Sequence, residues 1–289
     1  MNLKFLAYFL LLGCVLIMSS NTSCALAFHE LMTTKDAVDF ADFTFFSVGK
    51  AVATEDSYPM AAPLVGHNVV LTLKKDYLGF PFHPTTIEFD DRLYVVTEIR
   101  SIPGEDLQLC WLNQSVENID PIPLCRNSNE DRTKEDSQQK PPMMVVSFGP
   151  TCDLDTRVIT HDHQKKGGTT TVEQVTQNFI YTLFKEPIHN AREERLLPVT
   201  AAECTLLLED AGAVLLDSDG KGGFIMIGIG TNTDAGVLVG LVDQPYYGHQ
   251  STYILISSIA KKIELLLDAV VALQRSVEYR PPTYNCIVQ

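Results

Sequence analysis

Beyond its first stretch this chain has no long uninterrupted apolar run, no excess of positive charge and no closely spaced cysteine pairs, and it holds one tryptophan in 289 residues. Charges and glycines break every later apolar run, so no second membrane span is predicted. Lysine and arginine number 22 against 36 aspartates and glutamates, for a formal charge of -14 and a pI near 4.8. Phosphate backbones are repelled by such a balance, which excludes nucleic acid as a partner. No Cys-x-x-Cys or comparable spacing occurs, so structural zinc is not expected. Disorder is excluded too, because 45% apolar residues can fill one large core or two smaller ones.

What is present settles the compartment first. Lys4 precedes the apolar run 5–18, and Ala25-Leu26-Ala27 puts small residues at both cleavage-defining positions. Residues 1–27 therefore read as a secretory signal peptide, with a secreted, extracellular mature chain from Phe28. The run is shorter than the roughly 20 residues of a bilayer span, so no membrane attachment is expected after cleavage. Cys14 and Cys24 leave with the signal, and Cys110, Cys125, Cys152, Cys204 and Cys286 remain. The compartment permits disulfides, yet an odd count leaves at least one thiol free or paired between chains, with connectivity open.

Short β-rich runs at 43–48, 64–73, 85–89, 93–99 and 107–112 predict an antiparallel unit, giving a first module over 28–125. Residues 126–142 are polar and end in Pro141-Pro142, the composition of a solvated linker. Strand-like runs resume at 143–148, 169–175, 179–184, 213–216, 224–229 and 237–242, and 217–223 reads as a hairpin turn, giving a second module over 143–256. Ser257-Ser258 followed by Ile259, Ile263, Leu266, Leu267, Val270, Val271 and Leu273 has helical spacing with serine as N-cap, so a terminal amphipathic helix spans 257–278 before a tail at 279–289. Such an apolar stripe packs on its own barrel.

A set of landmarks occurs in one order along these modules. Residues 43–48 resemble the opening strand Pro-Trp-x-Val-Ser-Leu of the trypsin-like serine proteases, and residues 61–76 are similar to Gly-Gly-Ser-Leu-Ile followed by Trp-Val-Leu-Thr-Ala-Ala-His-Cys. Glu105-Asp106-Leu107-Gln108-Leu109 resembles the Asp-Ile-Ala-Leu-Leu strand. Pro121-Ile122-Pro123-Leu124-Cys125 and Val145-Val146-Ser147-Phe148-Gly149 resemble the exit of the first barrel and the lead-in to the second. Glu209-Asp210-Ala211-Gly212 matches the nucleophile loop Gly-Asp-Ser-Gly, and residues 226–230 and 253–259 parallel the last strands before the terminal helix. The resemblance implies an all-β fold of two antiparallel six-stranded barrels with a C-terminal helix. It places the family's catalytic histidine on Lys75, its aspartate on Asp106, its serine on Ala211, and on Glu209 the glycine whose N–H serves the oxyanion.

Those substitutions remove the chemistry that the family uses. An ammonium is no general base, a methyl group has no proton to give, and glutamate adds negative charge beside the site. No basic residue followed by Ile-Val-Gly-Gly lies near residues 28–42, so the cleavage that supplies Asp210 with an N-terminal partner in the family has no site, and a buried Asp210 must find another. The reading is a secreted pseudoprotease that binds an extracellular protein, as decoy or cofactor of a protease or inhibitor, without a cofactor of its own. The alternatives are an active enzyme of the same fold with an unrecognised triad, and an unrelated secreted β-rich structural protein.

Other candidates carry less. His161-Asp162-His163 lacks a third and fourth metal ligand nearby and reads as a solvated loop. Gly228-Ile229-Gly230 with Gly236 imitates half a dinucleotide loop, but a strand follows where a helix is needed. Ser147 and Ser257 have no histidine at motif spacing. Asn113-Gln114-Ser115 is an N-glycosylation sequon with Asn113 as acceptor.

Overall fold

In a computed structural model, residues 26–28, 33–42, 45–54, 57–76, 79–126, 142–149, 151–153, 159–160, 162–184, 189–190, 195–196, 204–206, 210–219, 221–231 and 250–278 are described. The elements run β1 (Leu26–Phe28), α1 (Thr34–Asp42), β2 (Val48–Val52), β3 (Met60–Gly66), β4 (Val69–Leu73), β5 (Thr86–Phe89), β6 (Arg92–Ser101) and β7 (Leu107–Leu112), then β8 (Met143–Ser147), β9 (Thr151–Asp153), β10 (Ile159–Thr160), β11 (Lys166–Val175) and β12 (Phe179–Leu183). The short β13 (His189–Asn190), β14 (Arg195–Leu196) and β15 (Cys204–Thr205) precede β16 (Val214–Ser218), β17 (Phe224–Gly230), β18 (Gln250–Leu255) and α2 (Ile256–Glu278).

Two antiparallel barrels close from these strands, in the orders β2-β3-β4-β7-β6-β5 and β8-β11-β12-β18-β17-β16. Numbering the strands of each barrel one to six, both follow the permutation 1-2-3-6-5-4, so the two halves share one topology without a sequence repeat. Closure leaves neither barrel an unpaired edge.

The burial pattern explains which sequence runs became which strands. β4 and β7 are buried at every position because both their faces are covered, and they read as continuous rather than alternating apolar runs. Fully buried leucines such as Leu71 and Leu109 each contribute roughly 1.5–3 kcal/mol. In the second barrel alternation sorts side chains between two cores: Leu215, Ile227, Tyr253 and Leu255 fill the barrel, whereas Val214, Leu216 and Ile254 join the core shared with the first barrel. Asp90 and Asp91, with φ of 46° and 59°, make the two-residue turn from β5 to β6, a conformation that aspartate tolerates.

Several sequence expectations shift. The first barrel's opening strand starts at Val48 rather than 43. Phe46-Ser47 form a turn, and Phe45 stacks at 5.2 Å against Phe224 of the other barrel. Helix α1, absent from the sequence reading, has a reciprocal cap: Thr33 Oγ1 accepts from Asp36 N–H at 3.2 Å and Asp36 Oδ2 accepts from Thr33 N–H at 3.0 Å. Its Ala37 lies in the second barrel's core, and Phe40 passes so close to β11 that a Cβ on Gly167 would lie 2.9 Å from the ring. Helix α1 thus packs on β11 of the second barrel, while its Ala41 joins the core that the two barrels share. β1 adds to the same side, parallel to β9 and antiparallel to β15.

At the other end, Ser258 is not an N-cap. Helix α2 begins at Ile256, and Ser258 Oγ donates back to the carbonyl of Leu255 at 2.7 Å. Ile256, Ile259, Ala260 and Ile263 bury the helix against the barrels. Among the described residues no helix is long and apolar enough to cross a membrane. The signal segment 1–25, the linker residues 127–141, the run 237–242 and the tail 279–289 lie outside the described residues.

Candidate functional site

The antiparallel register of β4 and β7 pairs Leu73 with Leu107, which brings the residue after one strand beside the residue before the other. Lys74 N–H donates to the carbonyl of Asp106 at 2.9 Å, and Lys75 Nζ lies 3.5 Å from Asp106 Oδ1. Both side chains are more than half exposed, so water screens their attraction. The loop after Lys75 is tied down by Phe82 N–H to the Lys74 carbonyl and Phe80 N–H to Asp76 Oδ1. The turn before Asp106 uses Gly104 at φ 79° and is clamped by α2: Lys262 pairs with Glu105 and donates to the Pro103 carbonyl at 3.3 Å.

Asp106 faces a cleft of about 560 Å³ shared by the two barrels, with Phe179, Tyr181, Thr231 and Ser258 on the far wall. The sequence reading found Asp106 but not these neighbours, because they lie more than 70 residues later in the chain.

Ala211 sits on the turn that leads into β16. The turn is held by Ala213 N–H to the Asp210 carbonyl at 2.8 Å, by Gly212 N–H to Gly230 O at 2.9 Å, and by Gly230 N–H to Ala213 O at 2.7 Å. Gly212 adopts φ 93°, which strains any other residue, and a Cβ there would touch Met60 of the first barrel at 3.4 Å. Ala211 itself is 3% exposed, so its methyl belongs to the core shared by the barrels. Asp210 is buried and accepts a hydrogen bond from Ser147 Oγ at 2.5 Å, while Gly149 N–H donates to the same Ser147 oxygen at 3.2 Å. That arrangement gives Ser147 a structural place inside the second barrel. Glu209 lies outside the described residues.

The remaining sequence candidates find ordinary places. Asp162 pairs with Lys166, a lysine that is 1% exposed at the start of β11 and also donates to Gly149 O at 3.0 Å. His163 meets Tyr58 edge-on, and His161 is outside the described residues. Gly228 and Gly230 are strand positions where a Cβ would strike Tyr253 Cβ at 2.9 Å and Leu206 Cδ1 at 2.6 Å, so close packing explains them. Cys110 is a buried free thiol 3.6 Å from Thr72 Oγ1, and no disulfide joins any two of Cys110, Cys125 and Cys204. Burial pushes the Cys110 thiol up to about 11.

A second cleft, of about 500 Å³, was invisible in the sequence. It lies between α1, the Asp90-Asp91 turn and Lys165. Lys165 donates to the Phe45 carbonyl at 3.2 Å and stands 5.9 Å over the Phe148 ring. Burial holds its ammonium below the ordinary lysine range, against the pull of Asp42, Asp90 and Glu88.

The two six-stranded barrels and terminal helix resemble the trypsin-like fold. No protein-family model matches the chain, and no curated sequence matches it.

Proposed function

We propose that this chain is a secreted, non-cleaving relative of the trypsin-like serine proteases that acts by binding an extracellular protein, as a decoy or cofactor of a protease or of a protease inhibitor. The observation that carries the reading is the pairing of Lys75 with Asp106 at the adjoining ends of β4 and β7. In the family those strand ends present a histidine to its orienting aspartate; here an ammonium meets the carboxylate and has no lone pair to accept a proton. Ala211, on the turn before β16, offers a buried methyl in the nucleophile's place.

What persists is the frame. Both barrels keep one strand permutation, and the cleft beside Asp106 stays open between them. Barrel cores need no catalytic group, so the fold survives the loss while its loops remain available for recognition.

A fluorophosphonate probe tests the reading on the purified mature protein. No serine should be labelled, while an active trypsin run in parallel reacts stoichiometrically. Labelling of any serine to one equivalent overturns it. Size-exclusion chromatography with trypsin-like proteases and with their protein inhibitors should then yield a stable complex with one of these classes, and failure with both removes the decoy and cofactor roles.

A further inference from the structure

The sequon at 113–115 lies against the largest apolar exposure on β6. Leu93 and Val95, two residues apart and on one face of that strand, are 66% and 52% exposed, flanking the buried Tyr94. Together they leave a small aliphatic pair open on the outer face of the barrel, directly beside the sequon. Asn113 is bonded to the same strand twice: its N–H donates to the Val95 carbonyl at 2.9 Å, and its Oδ1 accepts from Val95 N–H at 3.1 Å. The register continues in the Arg92–Glu117 ion pair at 3.4 Å, so residues 113–117 run alongside 95–92. Asn113, Gln114 and Ser115 are exposed, while Leu112 and Val116 anchor the segment through their N–H groups to the carbonyls of Asn68 and His67 at 2.8 and 2.7 Å.

We infer that Asn113 carries an N-linked glycan whose first sugar rings cover Leu93 and Val95. The inference rests on the secretory reading, because only that route supplies the lipid-linked oligosaccharide diphosphate donor. The new bond joins Nδ2 of Asn113 to the anomeric carbon. The bond from that carbon to the diphosphate breaks, the diphosphate leaves with its electron pair, and the amide gives up one proton. The carbonyl oxygen is untouched, so the bond from Val95 N–H persists and fixes the amide with Nδ2 turned away from the Val95 N–H. The apolar faces of the pyranose rings then meet the aliphatic pair beside the attachment point.

The full chain is expressed in secreting animal cells, and the medium protein is digested natively with peptide N-glycosidase. One glycan's worth of mass should be lost. Ser115→Ala, which leaves the Asn113–Val95 bonds intact, should lack the shift, and Asn113→Asp, which keeps the acceptor oxygen, provides a second unglycosylated form. Deglycosylation of the folded protein should raise the fluorescence of an apolar-surface dye roughly twofold, and the Leu93→Ser, Val95→Thr glycoprotein should show no such gain. Protein in the medium without a mass shift overturns the glycan alone. Loss of mass without a dye response overturns the coverage. A chain confined to the cytosol overturns the secretory reading together with the glycan.

Discussion

Lys75 and Asp106 face each other at 3.5 Å from the ends of two neighbouring strands, and both remain more than half exposed to solvent. At that exposure the pair contributes little to stability, since exposed ion pairs are worth about 0.2–1 kcal/mol. Lys75→Ala and Asp106→Asn should each change the unfolding free energy by less than about 1 kcal/mol, with a coupling that fades in added salt. Urea unfolding of the two single variants and the double variant measures it. A coupling well above that range would mean that the pair helps to hold the barrel together.

Ser147 and Asp210 make the opposite case, because both are buried and their contact joins β8 to the turn before β16. A hydrogen bond to a carboxylate is worth about 1.5–3 kcal/mol. Ser147→Ala should therefore lower stability by roughly 2 kcal/mol with an unchanged denaturant slope. A loss below about 0.5 kcal/mol would show that the turn is held by its main-chain bonds alone.

Cys110 links burial to pH. Its thiol titrates near 11 in the folded chain, above the ordinary cysteine value near 8.5. The raised value means that the folded state holds the proton longer than the unfolded state does. Its contribution is complete below about pH 8.5 and is lost as the pH climbs through 11. Relative to Cys110→Ser, the wild type should lose up to about 3 kcal/mol between those limits. Native protein at pH 8 should also resist alkylation at Cys110 until it is unfolded, as peptide mass mapping would show.

How much of this was legible from residues alone depended on whether the cause was local. β7 was readable to its ends because its six consecutive positions form one apolar-rich run that the fold buries throughout. Helix α1 was not, since its buried face amounts to Ala37 and Ala41 with Phe40 alongside, too few positions for a periodic signal. The opening strand was placed early because Phe45 looks like a strand residue but is drawn into an aromatic contact with Phe224. The burial of Lys166 had no signal in the sequence, because it depends on a charge partner, Asp162, that only the folded loop brings to it. The positions of Lys75, Asp106 and Ala211 came from ordered landmarks, whereas the contact of Ser147 with Asp210, 63 residues away, left no trace in composition or spacing.

Under the secretory reading proposed above, the position of β1 bears on where the mature chain would start. Ala27 is in register with Cys152 on one side and Thr205 on the other, and Phe28 with Asp153 and Cys204. Cleavage after Ala27 would remove two of the three residues of this strand and strip main-chain partners from both neighbours, each lost bond costing about 0.5–1.5 kcal/mol. Cleavage after Ala25 keeps the strand whole, and Ser23 and Ala25 also provide small residues at the two recognised positions. N-terminal sequencing of the secreted protein should therefore begin Leu26-Ala27-Phe28. Ala27→Pro gives an independent readout, since proline cannot donate within a strand that is paired on both sides. Made in a chain produced from Leu26, the substitution should lower the melting temperature, and an unchanged melting temperature would mean that β1 contributes nothing to the fold.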